Sequence, residues 1–421
     1  MAETKKDFKL NKKRAESVLR EGNLPERVSD ASKGLLSDSG VPVYISLFYL
    51  LCSVFAPMLA HSSKACTQFK RAQEHIFVLG MGGIGIDWTW NLLKKSMFEW
   101  DQLDHITAGA LTANTENYAK QISFKPVYFP ELLIGNPNLV KILKSLIENN
   151  YVKVVRTLKG MKPLVMDVES YPAIYVGTNY LTGLMDNQFI SRFDSFFTIK
   201  GDLPMWKEIK RVQISSVGNI PLLSSHIEDG IFEDIKHALA LLKDYNIRTS
   251  FGGKKYKQFV TDFGDVREFI DKETDRILDS CPNVTSIVSR DVDICLRRTN
   301  NSAWLNIFNR ETYAKRLDRG QGKILCIKAN IDDAKLGIDS FQRSMEAKDK
   351  LFRERAKKST KERKVSARRY FFANYEKLKG LSSRKQAKEV SKATGESVSH
   401  VICGEWKRQL LRADKEEGGN E

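Results

Sequence analysis

Gly80, Gly82, Gly83 and Gly85 stand between a short apolar run, residues 75–79, and a segment able to continue as a helix from Trp88. Where a strand meets a glycine-rich turn that opens a helix, backbone N–H groups converge and the helix N-terminus favours an anion. The chemistry on offer is phosphate binding. Gly80-x4-Gly85 has the spacing of the loop that continues with Lys and then Ser or Thr. Here those two positions are Ile86 and Asp87. The cation for the β- and γ-phosphates is missing, and a carboxylate takes the place of a Mg-ligating hydroxyl. ATP with Mg is the ligand this loop implies, and weak hydrolysis is the expected behaviour.

Two plainer readings compete. Gly80, Gly82 and Gly85 also spell G-x-G-x-x-G, but a dinucleotide site needs an acid at the end of the next strand. Residues 106–111 form an apolar run, and the first acid after it is Glu116. The second alternative is a tight turn that holds no ligand, since glycine clusters are common punctuation.

The elements that would position this loop belong to a chain of 421 residues, long enough for two or three domains. A formal net charge of +16 favours an acidic partner, nucleic acid or an anionic membrane surface. Cys52, Cys66, Cys281, Cys295, Cys326 and Cys403 have no metal or CxxC spacing and read as reduced cytoplasmic thiols. The six histidines form no ligand pattern, so no metal site is expected. Residues 41–60 carry no charge and are long enough for a bilayer, yet Pro42 and Pro57 limit the uninterrupted helix to about 14 residues. A buried helix is the preferred reading over a membrane anchor.

Six segments follow from composition and periodicity. Residues 1–38 form a basic N-terminal arm and 39–250 an α/β domain with a mainly parallel sheet. Residues 251–347 form a helical domain opened by the Gly252-Gly253 joint, 348–378 a basic linker, 379–412 a helix-turn-helix and 413–421 an acidic tail. Strand-like runs fall at 75–79, 105–111, 123–129, 151–157, 164–168, 172–177 and 195–199. Helices are expected at 88–98, 113–120, 137–149 and 229–245.

DNA is the partner the C-terminal part implies. Lys357, Lys358, Arg363, Arg368 and Arg369 suit phosphate contacts, although such a run is as readily a solvated helix or linker. In 379–412, Ala387, Gly395 and a buried Val401 sit at helix-turn-helix offsets, which would turn Ser397, Ser399 and His400 toward a groove. A small helical protein-interaction module is the alternative.

The order of parts resembles AAA+ P-loop ATPases of the replicative helicase or initiator type, similar to superfamily 3 or minichromosome-maintenance-like helicases. Residues 171–179 resemble the sensor 1 strand, ending in Thr178-Asn179. Residues 186–194 resemble the arginine-finger region, with Arg192 acting on a neighbouring subunit. Residues 123–131 stand for the Walker B strand, with Glu131 present and Pro130 in place of the metal-holding Asp. Residues 152–166 resemble a basic DNA-engaging hairpin, with Lys159 or Lys162 at its tip; an ordinary surface hairpin fits them equally. Residues 290–310 resemble the helical lid, with Arg297 as the sensor 2 residue.

The resemblance implies an AAA+-like α/β fold, a helical lid and a C-terminal helix-turn-helix. It further implies a cytoplasmic DNA-binding protein of viral or plasmid type, acting in DNA replication within an oligomer of AAA+ subunits. A regulatory DNA-binding protein that uses the α/β domain as an oligomerisation scaffold is the second reading, and attachment to a membrane through 41–60 the third.

Overall fold

The computed structural model describes residues 8–33, 36, 40–62, 67–80, 86–97, 101–102, 115–130, 137–149, 151–156, 164–179, 187–199, 207, 210, 224–284, 288–316, 322–394 and 397–417. They form two compact units, Met1–Asp349 and Lys350–Glu421.

The expected arm is instead part of the first unit. Helices α1 (Lys12–Glu21) and α2 (Leu24–Lys33) bury Val18, Leu19, Leu24 and Val28. Asn11 caps α1 by accepting from the Arg14 N–H at 3.2 Å. Helix α3 (Gly40–Ser53) is apolar all round and buried, as a helix enclosed on every side must be. Pro42 sits in its first turn, where a missing N–H breaks no helical bond. Among the described residues no helix is long and apolar enough to cross a membrane.

A hairpin of β1 (Leu59–Ser62) and β2 (Thr67–Lys70) leads into the sheet that carries the glycine loop. Its elements are β3 (Ile76–Gly80), α4 (Ile86–Lys94), β4 (Asp101–Gln102), α5 (Thr115–Ile122), β5 (Pro126–Pro130) and α6 (Pro137–Asn149). The antiparallel pair β6 (Tyr151–Arg156) and β7 (Leu164–Glu169) follows, then β8 (Ala173–Thr178), α7 (Asn187–Ile190) and β9 (Ser195–Ile199). The strand order is β4-β5-β8-β3-β9, and every pairing is parallel. All six β8 residues are buried, which explains an apolar run without alternation in a sheet covered on both faces. The expected run 105–111 lies outside the described residues.

Helix α8 (Ser224–Arg248) receives α1 and α2, and Asp234 accepts from both Arg14 and Arg27. The next segment, expected as a helical domain, holds strands as well as helices. After the hairpin β10 (Ser250–Phe251) and β11 (Lys254–Lys255), a second sheet forms from β12 (Gln258–Asp262), β13 (Thr312–Arg316) and β14 (Lys323–Lys328), in the order β12-β14-β13. Helices α9 (Arg267–Ser280) and α10 (Val288–Leu305) make the crossover between β12 and β13. Long α11 (Ile331–Ala373) opens with a reciprocal cap, Asn330 accepting from the Asp333 N–H while Asp333 accepts from the Asn330 N–H.

The second unit takes the end of α11 together with α12 (Tyr375–Leu378), α13 (Ser383–Thr394) and α14 (His400–Glu417). Its core is Ala367, Phe371, Leu378, Ala387, Val390, Cys403 and Trp406. The expected linker 348–378 is therefore mostly helix.

Candidate functional site

The parallel register sets where the loops begin. Leu79 pairs with Thr178, and Gly177 pairs with both Val78 and Pro130. Gly80, Pro130 and Thr178 thus end three neighbouring strands at one edge of the sheet. With β8 between β3 and β5, the outer two strands are about 10 Å apart. A crevice outside the carboxyl ends of parallel strands is where open α/β sheets hold ligands. Asn179 is exposed there. Gly82, Gly83, Gly85 and Glu131 lie outside the described residues.

The start of α4 is held by aromatic rings. Tyr128 donates to the Asp87 carboxylate. Its ring stacks on Tyr175 with centroids 4.7 Å apart, and Trp90 lies 5.2 Å and 5.9 Å from the two. The Tyr175 hydroxyl donates to the Ile86 carbonyl at 3.3 Å, and burial raises its pKa. A Cβ on Gly177 would stand 2.5 Å from Ile86 Cγ2, so a glycine is what lets α4 approach β8. Tyr128, Tyr175 and Gly177 did not stand out in the sequence. Their signal is a coincidence of register, Tyr128 opposite Tyr175, which needs the pairing to be seen.

Ile86 is half-buried and Asp87 exposed at the helix start. Lys94 lies eight residues on, about 12 Å along the axis. Lys95 stands over the Phe232 ring at 5.2 Å. The described residues of α4 therefore fit an anion only through backbone and dipole. Asp87, bonded to Tyr128, adds negative charge beside it. The donors among the described residues do not fit metal-assisted ATP hydrolysis.

The two arginines of interest are both engaged within the chain. Arg192 donates to Glu148 at 3.0 Å and 2.7 Å and to the Gln188 carbonyl. Arg297 is 5% exposed and bound to Asp194, with Nε 2.6 Å from Oδ1. Asp194 also accepts the His75 N–H at 2.7 Å and faces Arg71 at 3.5 Å. Burial, with Arg297 beside it, pushes the Arg71 pKa down to about 9 against the pull of Asp194. Next to this group Arg298 makes a two-pronged contact with Glu74, and Asn301 donates to the same carboxylate. Lys348 donates to the carbonyls of Ser191 and Phe193. The Ser191–Asp194 segment is thus a buried joint between the parallel sheet, α10 and α11.

The hairpin expected at 152–166 is present as β6 and β7; Lys159 and Lys162 lie outside the described residues. Lys357, Lys358 and Arg363 fall within α11. Arg368 and Arg369 are exposed, and Arg368 reaches Gln409 and lies over the Phe372 ring at 5.3 Å. Ala387 is buried, but Val401, expected to be buried, is 56% exposed. Helix α14 starts at His400 and packs Ile402, Cys403 and Trp406 on the core, with Val398 against it just before the helix. Ser397, Ser399 and His400 are exposed at that start.

No known family profile matches this chain, and no curated protein matches it significantly.

Proposed function

We propose that this chain is a DNA-binding, AAA+-like subunit of the replicative helicase or initiator kind, with a nucleotide site unsuited to hydrolysis. One observation carries the reading: β8 lies between β3 and β5, which aligns the ends of the glycine-loop, Thr-Asn and acid-bearing strands at one sheet edge. Nucleotide phosphates would meet the N–H groups of 81–85 and the start of α4. Asn179 and Glu131 would border the crevice, and Arg192 would serve a neighbouring subunit after exchanging its contact with Glu148. DNA would be held by the helical tail, with Arg368, Arg369, Lys357, Lys358 and Arg363 on phosphates and Ser397, Ser399 and His400 near base edges.

The bond from Tyr128 to Asp87 favours a second reading, in which the α/β domain is an oligomerisation scaffold for a regulatory DNA-binding protein. Nucleotide-dependent assembly separates the two.

A salt titration of duplex binding by the full chain tests the DNA part. Each phosphate neutralised contributes about 0.9 to the slope of log K against log salt, so Lys357→Ala with Lys358→Ala flattens it by about 1.8. His400→Ala leaves the slope unchanged and reduces discrimination between sequences. Salt-independent binding, or none, contradicts the proposal.

A further inference from the structure

In the first unit, α1, the end of α8, the β10–β11 hairpin and the residues before β13 enclose an open cleft of about 500 Å³. Three half-buried aromatic rings line it. Phe251 lies 5.5 Å from Tyr245 and 5.4 Å from Phe308, and the Arg20 guanidinium stands over Phe308 at 4.6 Å. Glu16 is the acid in the lining and accepts from the Tyr245 hydroxyl at 3.3 Å. The Arg310 guanidinium is neutralised by Asp333. At the hairpin tip Gly252 and Gly253 have φ of +58° and +73°, and nothing lies within 4 Å of where their Cβ atoms would be.

Such rings could simply fasten a hairpin to its domain. Two further features point to a ligand. The cleft stays open beside the rings, and a row of exposed cations leads away from it. Lys254 and Lys255 form the returning strand of the hairpin, and the Lys257 N–H donates to the Lys323 carbonyl at 2.8 Å. Lys323 is paired in register with Arg316. All five side chains are exposed, and among the described residues none of them is in an ion pair.

We propose that this cleft and its basic margin form a binding site for single-stranded nucleic acid, with unpaired bases stacked on Phe251 and Phe308 and phosphates on Lys254, Lys255 and Lys257. Aromatic faces with flanking cations are what a sequence-tolerant single-strand site requires. A duplex covers its base faces by stacking, and an acidic peptide would use the lysines but leave the rings idle. The site does not rest on the nucleotide crevice or the helical tail.

The test uses the full chain with the tail silenced by Lys357→Ala, Lys358→Ala and His400→Ala. Its probe is an oligo-dT of about 15 nucleotides, within the span of known single-strand sites. Binding is followed by fluorescence anisotropy, and a photoreactive version of the probe is mapped by peptide. The expected result is crosslinking to peptides that contain Phe251 or Phe308. Phe251→Leu with Phe308→Leu, which keeps the apolar packing, should weaken binding about fivefold or more. Lys254→Ala with Lys255→Ala, both on the surface, should lower the salt slope by about 1.4. Crosslinks confined to other regions, unchanged affinity in both variants, or equal competition by poly-glutamate would overturn the proposal. Loss of duplex binding in the unsilenced chain would instead bear on the tail.

Discussion

Asp194 holds more of the first unit together than any motif around it suggests. At 1% exposure it takes Arg297, the His75 N–H and a share of Arg71. Removing one partner of a buried ion pair leaves the other charge uncompensated, typically at about 3–5 kcal/mol. Asp194→Ala should therefore lower unfolding stability by about that amount in a urea titration. Loss below 1 kcal/mol, in the range of surface pairs, would mean the group is solvated. Gly177 gives a second residue-scale prediction. Gly177→Ala forces a methyl into Ile86 and should cost about 1–3 kcal/mol, most of it recovered when Ile86→Ala opens the space. Thermal melts of the two single variants and the double variant check the coupling. At this scale the sequence was least legible. The resemblance offers Arg192 and Arg297 to a nucleotide, yet their carboxylate partners, Glu148 and Asp194, are far away along the chain. A linear pattern does not reveal such partners.

Elements were easier to read. The expected helix at 137–149 and strand at 195–199 have those bounds in the structure, and the hairpin of β6 and β7 was visible as two β-rich runs around a basic turn. Strands β13 and β14 do not stand out in the sequence because TYAKR and KILCIK carry charges at their ends, β14 gains its partner from β12 far upstream, and β13 pairs only with β14. Val401, expected in the core, faces solvent because α14 begins at His400 and turns Ile402, Cys403 and Trp406 inward. Histidines at two element junctions make stability pH-dependent. His75 accepts the Ile174 N–H through Nδ1, and burial, then Arg71 and Arg297, hold its pKa well below the ordinary value. His237 accepts the Asn11 N–H, and burial lowers its pKa as well. Both are neutral in the fold and protonate more readily when unfolded. Their contribution is complete above pH about 6.5 and is lost as pH falls from there toward the lowered folded values. The melting temperature should drop on acidification below that point. It should drop less in His75→Gln, and equal slopes for the two proteins would contradict this.

At the scale of the whole molecule, the 350–421 unit has its own core around Phe371 and Trp406. An isolated 350–421 fragment should melt cooperatively by circular dichroism. Trp406→Ala should cost it about 3–5 kcal/mol, enough to unfold a domain of this size. A non-cooperative melt would show that the unit needs the rest of the chain. The net charge pointed to an acidic partner, but charge alone does not say which surface meets it. The cations beside Phe251 and those of the tail contribute to the same total. The central claim, a nucleotide held at the ends of β3, β5 and β8 without effective turnover, is tested by titrating the full chain with a fluorescent ATP analogue while following phosphate release. Binding should saturate, and Gly85→Glu should abolish it. Turnover should be lower by about 10²–10³ than at a site with its charge-stabilising group intact. Mg-dependent turnover that is fast and lost in Glu131→Gln, or no binding at any concentration, would contradict it.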